Sequence, residues 1–106
     1  MSTQYQTGAA IERKLKKNFE EDGFFVIRSA GSKGLFDLVV IGGFRIRLIQ
    51  VKGYTKGSKP IITSLPEYLA IRDLSVPENV SKEILLYERK TGQIEVHEIL
   101  KRKRSV

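Results

Sequence analysis

The sequence predicts an α/β domain, a mixed β-sheet flanked by helices in the order α β β β α β β. Three observations carry that expectation. Ile11, Leu15 and Phe19 recur every four residues and draw an apolar stripe with helical period. Several β-branched and aromatic runs follow, separated by glycine-bearing turns, as strands are. With 106 residues, 41% of them hydrophobic, the chain is one domain around one modest core.

Each element can be justified in turn. Residues 8–22, GAAIERKLKKNFEED, read as a helix with Thr7 as N-cap and Gly23 just past its end. FFVIRS at 24–29 suits a strand, and AGSKG at 30–34 a short connection. FDLVVI at 36–41 is almost continuously apolar, which predicts a strand buried on both faces. Gly42 and Gly43 mark a hairpin turn, and FRIRLIQVK at 44–52 is the returning strand. Residues 53–63 read as a loop. SLPEYLAIRDLS at 64–75 reads as a second helix, with Pro66 near its first turn, where proline is tolerated. Residues 82–90 and 93–100 read as two strands joined at Thr91 and Gly92. A single domain over 1–100 and a basic tail over 101–106 complete the organisation.

Composition removes several classes of chemistry. There is no cysteine, so disulfide frameworks, thiolate zinc sites and cysteine nucleophiles are out. One histidine, His97, cannot build a multi-histidine metal site and reads as structural. Tyr5, Tyr54, Tyr68 and Tyr87 read as packing or dimer residues. The opening MSTQYQTGAA lacks the charged and apolar regions of a secretory signal, and no apolar run approaches the ~20 residues that span a bilayer. The expectation is a cytoplasmic protein, or one in the host cytoplasm if viral, with no membrane partner.

The net charge of +7 is unevenly spread. Residues 1–22 are neutral overall, 23–60 carry a net +6, 61–100 a net −3, and 101–106 a net +4. A polyanion partner fits this pattern, and the KRKR of the tail suits phosphate contacts. Within the basic stretch Asp37 is the lone acid. An unpaired buried charge costs several kcal/mol, so Asp37 calls for a cation.

Strand alternation supplies one. Asp37 and Val39 share a face of the first hairpin strand, and Leu48, Gln50 and Lys52 a face of the second. A two-residue turn at 42–43 would pair residue 37 with 48, and a four-residue turn would set it across from Gln50. Either brings Asp37, Gln50 and Lys52 to one side of the sheet. Oxygen ligands around Mg²⁺, with a lysine two residues along, are a solution for phosphodiester hydrolysis. Glu12, at the edge of the helical stripe, would join this site if the helix packs beside the strands.

The run GAAIERKLKKNFEEDGFFVIRSAGSKGLFDLVVIGG followed by IQVKG resembles the archaeal Holliday junction resolvases of the PD-(D/E)xK, restriction-endonuclease-like nuclease superfamily. The resemblance covers about residues 8–53. It implies a restriction-endonuclease-like fold and a homodimer that cuts four-way DNA junctions with Mg²⁺, or Mn²⁺ as a substitute, and with no small-molecule cofactor. By position it makes Glu12, Asp37, Gln50, Lys52 and Ser32 (or Ser29 in its place) the catalytic set. Glu12, Asp37 and Gln50 would hold the metal. Arg13, Arg28, Lys33 and Lys56 would bind DNA.

Position 50 departs from that family, which has glutamate there. An amide keeps the size and one oxygen but not the charge, and is the weaker ligand for Mg²⁺. Three readings follow: a natural variant with residual activity, an engineered inactive form, or a protein that binds junctions without cutting. A related nuclease acting on flaps or other branched DNA is the remaining alternative. The second half of the chain is short for a cellular member, which fits a trimmed branch of the family, cellular or viral.

Overall fold

The computed structural model describes residues 8–29 and 34–100. Over these residues the element order is the expected one. Helix α1 spans Gly8–Glu21. Strands β1 (Phe25–Arg28), β2 (Leu38–Gly42) and β3 (Arg45–Tyr54) follow. A 3₁₀ turn, Ile62–Ser64, and helix α2 (Tyr68–Asp73) lead to β4 (Val80–Glu88) and β5 (Ile94–Glu98). The five strands form one sheet in chain order. It is mixed: β3 and β4 run parallel, joined by the crossover that carries α2, and every other pair is antiparallel. Thr7, Tyr5, Ser32, Lys33 and the 101–106 tail lie outside the described residues.

The helical stripe does what its period predicts. Ile11 and Leu15 are fully buried against Val26, Leu38, Val40, Ile49, Val51, Leu85 and Tyr87. The end of α1 closes with Phe24 N–H donating to Phe19 C=O and Gly23 N–H to Glu20 C=O. The rings of Phe19 and Phe24 then meet edge to face at 6.0 Å, the apolar contact that accompanies this kind of helix stop. At the other end of the contact, a Cβ on Gly53 would come within 2.9 Å of Ile11 Cδ1. Glycine there lets α1 lie close on β3.

A second core lies on the opposite face. Ile71 of α2, Ile84 and Leu86 of β4 and Ile99 are buried there, with Leu35, Phe36, Tyr54, Ile62, Leu65 and Tyr68 packed around them. β4 is buried from Ser81 to Glu88 and is the strand covered on both faces.

Four local expectations are corrected. The hairpin turn is Gly43–Phe44, not 42–43. Both residues have positive φ, +58° and +67°, the conformation that two-residue turns matching strand twist require. Gly42 therefore pairs with Arg45, and the ladder ends at Leu38 opposite Ile49. β2 is not buried on both faces: Leu38 and Val40 are buried, while Val39 and Ile41 are partly exposed, because α2 packs over Ile84 and Leu86 of β4 instead of over β2. β3 continues through Gly53 and Tyr54, which pair with Tyr87 and Glu88, so the loop starts later. The second helix is confined to Tyr68–Asp73. Pro66 is the reason: it forces Leu65 into an extended conformation (φ −70°, ψ 141°), which separates the 3₁₀ turn from α2. At the far end Lys82 Nζ donates to the carbonyls of Arg72 and Leu74, satisfying the helix terminus.

Candidate active site

Asp37 stands one residue before β2 and is fixed on both sides. Its N–H donates to Ile49 C=O at 2.8 Å, and its C=O accepts Ser29 N–H at 2.9 Å. Its side chain is fixed too, because Oδ2 accepts the N–H of Val51 at 2.9 Å. The carboxylate is thus held at the main chain of β3, between Gln50 and Lys52. Burial pushes its pKa above the ordinary range. Nearby Glu67 acts in the same direction, while the Val51 N–H, Lys52 and Arg28 oppose them.

Gln50 and Lys52 share the face of β3 opposite α1. They pair with Ile84 and Leu86, the second-core residues of β4. Gln50 is only 7% exposed. Lys52 is half-buried and its Nζ donates to Glu67 Oε2 at 2.5 Å. Glu67 immediately precedes α2, and Leu65 and Tyr68 on either side of it pack into the second core. That packing carries its carboxylate over the sheet. Burial alone would raise the Glu67 pKa, but the Lys52 ammonium and the residue's own N–H together outweigh it and hold the carboxyl below its ordinary value.

Glu12 approaches from the other side. It lies on α1 next to Ile11, and Arg28 Nε donates to its Oε1 at 3.0 Å. Arg28 pairs with Leu38 on the α1 side of the sheet, so the two meet across one core edge. Burial first, and Asp37 second, push the Glu12 carboxyl up, against Arg28 and Arg13. Glu12 thus feels the charge of Asp37, and Asp37 that of Glu67.

The remaining expected positions are more dispersed. Arg13 is exposed on α1 and Lys56 is exposed beyond β3. Ser29 precedes the residues left undescribed, among which Ser32 and Lys33 fall. His97 is joined to Glu95 on β5 and lies across Ile84 of β4 from Gln50. Tyr87 is buried, and its hydroxyl accepts from Lys14 Nζ at 3.1 Å; Tyr54 and Tyr68 pack into the second core.

Sequence reasoning missed Glu67. It reads as an ordinary acid at a helix start, where the macrodipole favours one. The available signal is its isolation: between Asp37 and Asp73 no other acid occurs.

Among the described residues no three histidine or acidic side chains stand close enough to hold a metal by themselves. Glu12 is drawn towards Arg28, and position 50 supplies an amide. The donor types near this stretch of β3 are all hard oxygens: the Asp37 carboxylate on the Val51 N–H, the amide of the neighbouring Gln50, and the Glu67 carboxylate on Lys52. That set fits an oxygen-preferring cation such as Mg²⁺ and no thiophilic metal.

Two comparisons bear on this arrangement. A curated protein, the crossover junction endodeoxyribonuclease Hjc of Methanocaldococcus jannaschii, is 54% identical over 39 residues, which is 37% of this chain and 29% of that protein. The chain thus matches less than a third of that relative's length. A family model described as archaeal Holliday junction resolvase (Hjc) matches residues 3–64, a stretch containing Glu12, Arg28, Asp37, Gln50 and Lys52. The match takes in more than half of the chain, from the first helix through the strands that fix Asp37, and the chain belongs to the archaeal Holliday junction resolvase family.

Proposed function

We propose that the protein is a structure-selective endodeoxyribonuclease that resolves four-way DNA junctions by Mg²⁺-dependent phosphodiester hydrolysis in the cytoplasm. The single observation that carries this reading is the clamp on Asp37. One half-buried carboxylate is locked to the backbone between an amide and an ammonium, in a chain of this family. Asp37 and the Gln50 amide oxygen would hold the ion. When bound, the ion polarises the scissile phosphate and lowers the pKa of the attacking water.

The protein's own residues do the rest. Lys52 offers a positive charge beside Asp37 to steady the developing charge on the phosphate. The Arg28 guanidinium holds the Glu12 carboxylate. Arg13 and Lys56, both exposed, suit contacts to phosphates, so recognition reads shape and backbone rather than base sequence.

Resolution of a junction needs two cuts on strands of opposite sense, and a two-fold dimer supplies two sites. An apolar sheet face supports that assembly. Phe25, Ile41 and Ile46 form one row across β1, β2 and β3, and Ile27, Val39 and Leu48 the next. Phe25 and Ile27 are 64% and 48% exposed, and the other four are partly exposed. A contiguous apolar patch of this kind marks an interaction surface.

The neutral, buried Gln50 favours a second reading, in which the protein holds junctions without cutting them. A labelled four-way junction incubated with Mg²⁺ separates the two. Paired symmetric nicks support the nuclease, whereas a tight complex that stays intact supports the binder. Competition with linear duplex and flap substrates tests the choice of junctions.

A further inference from the structure

We propose that Glu67 is the second carboxylate of the metal site and carries the negative charge that position 50 lacks. The proposal deepens, and rests on, the metal-dependent reading above. Its starting point is a mismatch. A divalent cation of the Mg²⁺ type is held chiefly by anionic oxygens, and the family-matched part of the chain brings to β3 one carboxylate, Asp37, and one amide, Gln50. Glu67 lies past residue 64, where the family match ends, yet it reaches the same place.

Four observations single it out. Its Oε2 meets Lys52 Nζ at 2.5 Å although the two residues are fifteen positions apart. Its Oε1 is buried and, among the described residues, no other residue donates to it. A buried acceptor left unpartnered costs about 1–3 kcal/mol, more when charged, so this oxygen favours a cation beside it. Glu67 sits at the N-cap of α2 but does not cap it with its side chain. The side chain is turned to the sheet instead. Finally, Asp37 feels its charge. Together Asp37 and Glu67 supply the two negative charges that a divalent ion needs.

A bland role is available: Glu67 could serve only to position Lys52. The two roles differ in what metal binding itself reports. A positioning residue changes cleavage and leaves the ion's affinity alone. A ligand changes the affinity in the absence of DNA.

The test is a Mn²⁺ titration of the DNA-free protein, followed by electron paramagnetic resonance, on the unmodified chain, Glu67→Gln, Gln50→Glu and the double variant. Glu67→Gln is expected to weaken Mn²⁺ binding by about 10–100-fold, since affinity follows ligand charge and its loss at a metal site is of this order. Gln50→Glu should restore affinity in the Glu67→Gln background. Unchanged affinity in Glu67→Gln, or no rescue by Gln50→Glu, overturns the proposal. If the unmodified protein binds Mn²⁺ but Glu67→Gln binds it equally, this inference fails and the nuclease reading stands. If the unmodified protein binds no Mn²⁺, both fail. A second measurement needs no variant: Mn²⁺ should broaden the NMR signals of Glu67 together with those of Asp37 and Val51. Broadening at Asp37 and Val51 that leaves Glu67 sharp overturns the assignment.

Discussion

The side chain of Asp37 and the main chain of Val51 are joined by a 2.9 Å hydrogen bond across the β2–β3 pair. The bond aims the carboxylate at the segment that bears Gln50 and Lys52. It also places a charge where burial disfavours it. Function and stability therefore pull against each other at residue 37.

Asp37→Asn tests that opposition. The amide oxygen can still accept the Val51 N–H, while the charge is gone. A group whose pKa is raised on folding stabilises the fold below its ordinary pKa and loses that contribution as pH rises through the folded value. Removing the charge should thus raise stability at pH 7. A gain of about 0.5–1 kcal/mol, common for single stabilising changes, corresponds to roughly 2–8 °C in Tm for a domain of this size. The gain should vanish at about pH 3, where the wild-type carboxyl is protonated folded or unfolded. Thermal melts at both pH values check the sign.

Gln50→Glu should behave in the reverse way. It puts a second carboxylate at a nearly buried position beside Asp37, where like charges disfavour each other. Without metal, Tm is expected to fall by a few degrees, about the effect of 0.5–1 kcal/mol. Millimolar Mg²⁺ should recover it through preferential binding to the folded state, and junction cleavage should rise. A melt insensitive to Mg²⁺ would remove position 50 from the site.

Much of this was legible in the sequence, and for identifiable reasons. The four-residue spacing of Ile11, Leu15 and Phe19 leaves little freedom about which face of α1 is buried. The solitary acid in a basic stretch flags Asp37. What the sequence hid is a matter of one-residue choices and long-range packing. The turn falls at Gly43–Phe44 because Phe44 adopts positive φ, an uncommon state for a non-glycine residue. Glu67 resembles any helix-start acid until Leu65 and Tyr68 dock and swing it over Lys52. The apolar run at β2 predicts burial on both faces, but α2 packs over β4 and leaves Val39 and Ile41 partly exposed, a choice of long-range packing.

The Glu12–Arg28 pair spans α1 and β1 and is largely shielded from solvent. A double-mutant cycle with Glu12→Gln and Arg28→Ala should give a coupling of about 0.5–1 kcal/mol. Arg28→Ala alone should cost more than the double variant suggests, because it leaves a desolvated carboxylate near Asp37. Additive single effects in denaturant melts would show that the pair contributes nothing.

The apolar rows of β1, β2 and β3 make the dimer testable. Leu48→Lys places an ammonium in the middle of the partly exposed face, while the α1 core behind it is untouched. Sedimentation should show a dimer in the unmodified protein and a folded monomer in the variant. A variant that remains dimeric would move the contact elsewhere.

Metal-dependent cutting organised by Asp37 stands or falls on one assay. The most direct measurement is cleavage of an end-labelled four-way junction with Mg²⁺ by the unmodified protein and by Asp37→Asn, under conditions where both bind the junction equally. Paired symmetric nicks are expected from the first and a loss of at least about a hundredfold in rate from the second, the scale on which removing one electrostatic contributor slows catalysis. Equal rates from the two proteins, or no nicks from the unmodified chain at any Mg²⁺ or Mn²⁺ concentration, would contradict it.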